Sequence, residues 1–359
     1  MNPITIVMVA FSMLAAIDRI FGGKLGMGKE FERGIMMMGN VCLSMIGMIV
    51  ISPFIADILD PVFSFVWDKL NIDPSVIPAI LFANDMGGAP LAKEIAQNAD
   101  IGMFNALVVS AMMGATVSFT IPVALGMVDK EQHKELLLGL LCGIVTIPLG
   151  CFVSGLILKL PLGALLIDLL PLVIFSVVIA VGLIICPNLC VKIFSLFGTF
   201  IKILITIGLA LGILKYLLGI EIIKGLESFE AGGLICLNAC AVMTGAFPLM
   251  YVLGKALKKP MRKLGAGMNV NETSVMGLLS SLATSMTTFG MMKDMDKKGV
   301  LLNSAFAVSG AFTFAGHLAF TMAFDANYIF PVIIGKLVAG VLAVLAAMLL
   351  FGRNSEQKA

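Results

Sequence analysis

The first residue of this sequence whose chemistry needs an explanation is an aspartate at a break in an apolar segment. Asp85 lies in the string NDMGG (84–88), with apolar residues on either side. A carboxylate at membrane depth is costly and is kept where it has a partner. An ammonium group, Na⁺ or a proton would fill that role. The same residues also allow an N-cap for the half-helix that follows, or a salt bridge to Lys93.

Amide and hydroxyl side chains accompany this carboxylate. Asn84 precedes it directly, and a second interrupted apolar segment carries Thr287 and Thr288 at its break. Thr116 and Thr120 lie in the apolar run that follows the first break. Because these groups donate or accept hydrogen bonds, they suit a ligand hydroxyl. The alternative for the threonines is to satisfy the backbone of a broken helix.

His317 is the one histidine inside an apolar run, because His133 lies in a charged stretch. At that depth it is a candidate proton relay or ligand contact. A single interhelical hydrogen bond is the competing interpretation. Phe119 and Phe314 lie in corresponding apolar runs and could offer a π face to an ammonium, with simple packing as the alternative.

Two further charged residues lie near the ends of apolar runs. Lys336 comes early in the last run, and its long side chain is expected to extend to the membrane interface. Asp168 is expected at an interface for the same reason of position. Neither is assigned to the site at this stage.

No motif indicates catalysis or a bound metal. The sequence contains no HExxH, no GxSxG and no P-loop. The pairs Cys186–Cys190 and Cys236–Cys240 have the i, i+4 spacing of one helix face and not that of a CxxC metal pair. We therefore expect no enzyme, no cofactor and no metal site.

The composition shows what kind of protein must position these residues. Of 359 residues, 59% are apolar and 13% are charged, against about 45–50% and about 25% in soluble domains. The mean hydropathy is +1.05. These values exclude a soluble enzyme and a nucleic-acid binder, and the net charge of +2 implies no polyanionic partner. The lipid bilayer is the expected surrounding.

Membrane spans follow from the apolar runs, each long enough to cross about 30 Å of hydrocarbon. Nine runs are predicted as spans: about 4–17, 34–56, 102–127, 135–158, 165–186, 193–214, 231–254, 300–322 and 328–351. Two other apolar segments, Pro74–Asn98 and Thr273–Asp296, are interrupted by polar or glycine-rich breaks. Neither half of either segment is long enough to cross alone.

The two broken segments occupy equivalent places in an internal repeat. Asn40 lies over Asn238 in an alignment whose offset stays near 197–199, and the pair suggests a shared central role or helix–helix contact. Paired interrupted segments are the best sequence indicator of a transporter's binding site. We predict a first repeat over 1–159, a linking helix region over 160–192 and a second repeat over 193–359.

Glycine and proline mark the breaks and bends. Gly87 and Gly88 follow the first polar break, so unwound backbone is expected there and a half-helix should start near Gly88. Pro122 and Pro148 both follow Thr-Ile and should kink their helices.

Loop charge decides between two topologies. If both broken segments cross fully, the repeats are parallel; if each returns to its own side, they are inverted. The stretch 255–263 is basic and is expected in the cytoplasm, whereas 57–73 is acidic and is expected outside. Only re-entrant hairpins place both correctly. We predict an all-α polytopic membrane protein with nine transmembrane helices, two re-entrant hairpins and inverted repeats, N-terminus out and C-terminus in.

Long strings of the sequence resemble the ethanolamine permease family, EutH, nearly from end to end. They are LFANDMGGAPLAKEIA (81–96), GMFNALVVSAMMGATVSFTIPVALGMVD (102–129), GIVTIPLGC (143–151), FGMMKDMDKKG (289–299), NSAFAVSGAFTFAGHLAF (303–320) and FPVIIGKLVAG (330–340). The resemblance implies a permease in the cytoplasmic (inner) membrane of a bacterium that uses ethanolamine. It would supply ethanolamine to a cobalamin-dependent ammonia-lyase.

Ethanolamine carries an ammonium and one hydroxyl, so a carboxylate with hydroxyl or amide partners is a minimal recognition set. We hypothesise that Asp85 takes the ammonium, while Asn84 and either Thr287–Thr288 or Thr116–Thr120 take the hydroxyl. Two alternatives stay open: a transporter of another small amine or metabolite, and a membrane scaffold that recruits metabolic enzymes through 255–263. A homo-oligomer is compatible with the apolar, glycine-rich spans, and no nucleic-acid partner is expected.

Overall fold

The computed structural model describes residues 3–356, and the regular elements of that range are all helices. Residues 1–2 and 357–359, which the predicted repeats include, lie outside it. Eight of the described helical stretches are long and apolar enough to cross a membrane: Pro3–Ile20, Met27–Leu70, Ala99–Met127, Lys130–Ile157, Leu162–Ile185, Pro187–Leu218, Phe229–Ala256 and Ala326–Leu349. The protein is therefore a polytopic all-α membrane protein, as predicted.

The first set of helices contains one hairpin and one widened helix. It comprises α1 (Pro3–Ile20), α2 (Met27–Met36), α3 (Met38–Leu70), α4 (Val76–Leu81), α5 (Gly88–Ile95), α6 (Ala99–Phe104), α7 (Ile121–Met127) and α8 (His133–Ile157). A 3₁₀ turn at Asn84–Met86 separates α4 from α5. Two π-helical stretches, Asn105–Gly114 and Thr116–Thr120, join α6 to α7. Wide helical turns of this kind are rare and often lie at functional sites.

A second set of helices follows the intervening helix α9 (Leu162–Ile185). It comprises α10 (Pro187–Leu218), α11 (Phe229–Met268), α12 (Glu272–Ser281), α13 (Ser285–Met291), α14 (Lys297–Gly310), α15 (Gly316–Phe324) and α16 (Ile329–Glu356). Two short helices separated by a break, α12 and α13, occur in this set as α4 and α5 do in the first.

Each broken segment closes on itself through one aspartate. In hairpin 1 (residues 73–98), one Asp73 oxygen accepts hydrogen bonds from the backbone N–H groups of Gln97 at 3.1 Å and Asn98 at 2.8 Å. In hairpin 2 (residues 271–296), Asp296 accepts bonds from the backbone of Asn271 and from the Ser274 hydroxyl. The two ends of each segment therefore meet, which agrees with the predicted hairpins.

The predicted span 300–322 is not continuous. It is divided into α14 and α15 by non-helical residues 311–315, where Phe312 has a φ of +59°. The freed backbone N–H groups of Phe312 and Phe314 donate instead to the carbonyls of Ser281 and Leu282 at the end of α12. The break is stable because these bonds replace the lost helical ones inside the protein.

Two stretches predicted as loops are largely helical. The acidic stretch 57–73 is helical as far as Leu70 within α3, and the basic stretch 255–263 lies inside α11. Both helices continue past their apolar parts, because residues such as lysine, leucine and alanine are good helix formers in water as well. The charge pattern used for the topology is therefore carried by helix ends.

Helices of the first set contact helices of the second set closely at glycines. A Cβ on Gly47 of α3 would lie 2.0 Å from the carbonyl oxygen of Ile205 on α10. A Cβ on Gly245 of α11 would lie 2.0 Å from the carbonyl oxygen of Met8 on α1. Glycine permits such close approach, which drives helix association in membranes. Each pair joins one helix of each set.

Candidate functional site

The tip of hairpin 1 is held in one conformation by the elements around it. The Ala83 N–H donates to the Ser118 hydroxyl at 3.0 Å, which ties the tip to the π-helical span. Gly87 has a φ of +105°, and a Cβ there would lie 1.9 Å from a Met48 side-chain atom. A glycine is thus required at Gly87 by both backbone and space. Gly88 begins α5, as predicted.

Asn84 lies at this tip and is completely buried. Neither its amide nitrogen nor its amide oxygen has a hydrogen-bond partner among the residues that the structure describes. An unpaired buried amide is expensive, since each unsatisfied group costs about 1–3 kcal/mol. Native proteins keep such groups where a ligand or water completes them.

Asp85 follows on the 3₁₀ turn, which contacts α3, α5, α15 and the first π-helical stretch. Both structural alternatives named from the sequence are absent here. The N-cap of α5 is Gly87, and no side chain caps that helix. Lys93 lies over the Phe324 ring, with its Nζ 5.4 Å from the centroid.

Lys336 supplies a cation at the same depth. Its side chain is 1% exposed, so the expectation that it reaches the membrane interface is wrong. Its Nζ donates to the Ala111 carbonyl at 2.7 Å and contacts Nδ1 of His317 at 3.1 Å. It also interacts electrostatically with the Asp85 carboxylate. Asp85 itself is half-buried, and it does not form a direct ion pair with Lys336 in the part of the chain that the structure describes.

Close packing of α8 against α16 turns Lys336 inward. A Cβ on Gly150 would lie 2.5 Å from the Gly335 carbonyl oxygen, and a Cβ on Gly335 would lie 1.9 Å from the Ser154 hydroxyl. The Ser154 hydroxyl also donates to the Pro331 carbonyl at 2.9 Å. Since the neighbouring Gly335 faces α8 this closely, Lys336 points toward the π-helical span.

His317 lies in the first turn of α15, directly after the break at 311–315. It is 4% exposed, and its ring lies 5.1 Å from the Phe312 ring. Phe312 in turn contacts Phe119 edge-on at 5.6 Å. Phe119 thus pairs with Phe312, whereas Phe314 packs near α1 and α11. Through its contact with Lys336, His317 lies next to this buried lysine.

The four candidate threonines are placed differently. Thr116 donates to the Met112 and Val308 carbonyls, and Thr288 donates to the Gly277 carbonyl within hairpin 2. Their hydroxyl hydrogens are therefore engaged in helix packing. Thr120 is buried on the second π-helical stretch, and Thr287 is exposed on α13.

The residues singled out by the repeat have structural positions. Asn40 and Asn238 are both exposed on helix faces, so the described structure does not bring this pair to the centre of the protein. Pro122 lies in the first turn of α7, where its missing N–H costs little, and Pro148 lies inside α8.

Buried polar atoms that sequence reasoning missed lie on the broken span. The hydroxyls of Ser309 on α14 and Thr321 on α15 are buried and have no partner in the described part of the chain. Thr321 is one turn beyond His317 and so shares its helix face. A polar residue in an apolar run was the available signal, but the run alone does not show which face meets the hairpin tip.

The apolar helices define a multi-pass membrane protein, in which the tip of hairpin 1 contacts the broken helix and Lys336 of α16 contacts His317 on that helix. A protein-family model described as "Ethanolamine utilisation protein, EutH" matches residues 1–350. The chain belongs to this family.

Named relatives agree with this assignment. A Listeria monocytogenes protein named "Probable ethanolamine permease EutH" is 42% identical over 350 residues, which is 98% of this chain and 94% of its own length. A Salmonella typhimurium protein of the same name is 38% identical, over 97% of this chain and 95% of its own. An uncharacterized Bacillus subtilis protein, YxeR, is 36% identical over 96% of this chain and 94% of its own length. No solved structure matches.

Proposed function

We propose that this protein takes up ethanolamine across the bacterial cytoplasmic membrane and binds it at the tip of hairpin 1. The observation that carries the proposal is the completely buried, unpaired amide of Asn84 beside the carboxylate of Asp85. The names of the Listeria and Salmonella relatives support the choice of ethanolamine.

The chemistry of the two side chains matches the two ends of ethanolamine. Its ammonium forms charge-assisted hydrogen bonds with the Asp85 carboxylate, and such bonds are about twice as strong as neutral ones. Its hydroxyl both donates and accepts, so it pairs with the Asn84 amide. The unpaired Thr321 hydroxyl on the facing half-helix is a second partner for the hydroxyl.

Lys336 acts in this mechanism as a tethered substitute for the substrate's cation. With no substrate bound, its ammonium compensates the Asp85 charge from its position on Ala111 and His317. The incoming ethanolammonium displaces this compensation and restores it on leaving. The site therefore never holds an uncompensated carboxylate, which would cost several kcal/mol.

The proposed topology has inverted repeats over 1–159 and 193–359, a linker over 160–192, the N-terminus outside and the C-terminus inside. Five of the apolar helical stretches precede α10, so the two repeats start on opposite sides if each stretch crosses once. The closed bases of both hairpins support this count. Cysteine labelling from either side of the membrane tests it, with an added cysteine near residue 24 expected to be labelled only from the cytoplasm.

The test is uptake of radiolabelled ethanolamine into proteoliposomes that contain only this protein, at acidic external pH. Acidic pH keeps the substrate as its ammonium, because the neutral amine crosses lipid unaided. We expect saturable uptake that is lost in Asp85→Asn. Asp57→Asn on the exposed end of α3 is the matched control and should transport normally.

Other outcomes separate the alternatives. Normal uptake by Asp85→Asn would remove this carboxylate from the site. No uptake above empty liposomes, with uptake of another small amine present, would identify a different substrate. A scaffold would show no uptake of either and would lose its function when the basic stretch 255–263 is neutralised.

A further inference from the structure

A second acidic cleft lies at the base of hairpin 1, at the opposite end from its tip. It measures about 90 Å³ and lies between the end of α3, the base of the hairpin and the start of α9. Its polar and aromatic lining consists of Trp67, Asn71, Asp73, Asn98 and Asp168. One water needs about 10–15 Å³ measured in this way, so the cleft has room for a molecule of a few heavy atoms.

Asp168 is the group in this cleft that points to a ligand. It is 2% exposed and is therefore buried within the protein. Its Oδ1 accepts a 3.0 Å hydrogen bond from the Asn105 amide, while its Oδ2 has no hydrogen-bond partner within residues 3–356. A buried carboxylate oxygen without a partner is costly unless a cation completes it.

The fold of the hairpin does not require this carboxylate. Asn303 is the repeat counterpart of Asn105, and its amide donates to backbone carbonyls at the base of hairpin 2, including that of Ser274. The Asn105 amide donates instead to the Ser75 side-chain hydroxyl and to Asp168, which comes from α9 outside both helix sets. The Asn303 amide thus holds its hairpin through carbonyl groups alone, so an asparagine at this position does not need a carboxylate such as Asp168.

The available oxygens select the kind of cation. Both oxygens of Asp73 already accept backbone N–H groups, from Ser75 and from Gln97 and Asn98. Of these two carboxyl groups, only that of Asp168 therefore has an oxygen without a partner among the described residues, whereas Ca²⁺ or Mg²⁺ needs six or more oxygen ligands. A primary ammonium needs one carboxylate contact, and the Trp67 indole can face its charge.

We propose that this cleft is a second site, which binds a small primary ammonium at the base of the hairpin before it reaches the tip. The choice of ethanolamine as the ammonium rests on the proposed function; the affinity of the cleft for a cation does not. The site raises the local concentration of substrate, so it acts at low substrate and not at saturation.

The chain has a built-in probe, because Trp67 is its single tryptophan. We would titrate the purified protein with ethanolamine hydrochloride and follow Trp67 fluorescence, with ethylene glycol as the uncharged analogue and NaCl as the simple cation. We expect a saturable change with ethanolamine alone. Asp168→Asn should weaken this binding at least about tenfold and raise the KM for uptake without lowering the maximal rate.

Two variants keep the test decisive. Asp85→Asn should keep the fluorescence change and lose transport, so a failed uptake assay is distinguished from a failed cleft. If Asp168→Asn does not fold, Ala164→Leu fills the cleft without touching the carboxylate and should abolish the change. Any of four results would overturn the proposal. The fluorescence response could be lost in Asp85→Asn, could persist in the cleft variant that folds, or could be absent from the unmodified protein. Ethylene glycol or Na⁺ could also give an equal response.

Discussion

Replacing Lys336 by methionine separates a tethered cation from a merely structural lysine. The substitution keeps an unbranched side chain, shorter by the terminal atom, and removes the ammonium that bonds to Ala111 and His317 and interacts with Asp85. The empty protein should lose stability, because the Ala111 carbonyl and His317 lose a charged hydrogen-bond partner worth about 1.5–3 kcal/mol. The substrate's own ammonium should then take the vacant role.

The expected gain in affinity for ethanolamine follows from the loss of competition by the Lys336 ammonium. A hydrogen bond to a charged group is worth about 1.5–3 kcal/mol, which corresponds to roughly tenfold to 150-fold in affinity. Lys336→Met should therefore bind ethanolamine at least about tenfold more tightly. Turnover should fall, since no internal cation is left to replace the departing substrate.

Equilibrium binding of labelled ethanolamine to the purified variant measures the first effect, and uptake into proteoliposomes measures the second. Lys202→Met, on an exposed face of α10, is the control and should change neither. Weaker or unchanged binding by a folded Lys336→Met protein would refute the idea that Lys336 and the substrate compete for Asp85.

Two further predictions concern the hairpins. Gly87→Ala should lower the melting temperature and abolish uptake, because the residue has a left-handed backbone and the new Cβ would clash with Met48. Gly39→Ala is the control and should be neutral, since no atom lies within 4 Å of its new Cβ. Normal stability and uptake in Gly87→Ala would contradict the described tip. Thr288→Val should cost about 1–3 kcal/mol of stability with an unchanged KM, because its hydroxyl bonds lie within hairpin 2, whereas Thr287→Val should have little effect on either measurement. A raised KM in a stable Thr288→Val protein would return that hydroxyl to the substrate site.

The membrane fold and the breaks in the hairpins could be predicted from the sequence because hydropathy and polar interruptions are local properties of the chain. Asp85 stood out for that reason. Lys336 did not, since a lysine seven residues into α16 reaches an interface unless tertiary packing prevents it. The glycines on α8 and α16 that prevent it are distant in sequence, and their contact is visible only in the folded protein.

The break at 311–315 escaped prediction for a related reason. Its residues are mostly apolar, so the segment fits an uninterrupted span, and the carbonyls that stabilise the break belong to α12. Asp168 lies on α9, which packs against hairpin 1 but belongs to neither helix set, so its position in a cleft was not predictable either. Local patterns therefore located the elements, while the partners of buried polar groups required the three-dimensional structure.

The exchanged glycine contacts bear on how the chain is assembled during synthesis. Gly245 packs against Met8, and Thr244 shares a 2.7 Å hydrogen bond with Ser12, so α1 acquires its neighbour only after α11 has been made. Gly47 of α3 likewise gains its contact with α10 only after α10 has been made. The early helices therefore stay in the bilayer without these final neighbours until the later helices have been synthesised. A chain stopped at the linker would leave the Gly47 face of α3 and the Met8 face of α1 open to lipid, and a separately synthesised second half could cover both.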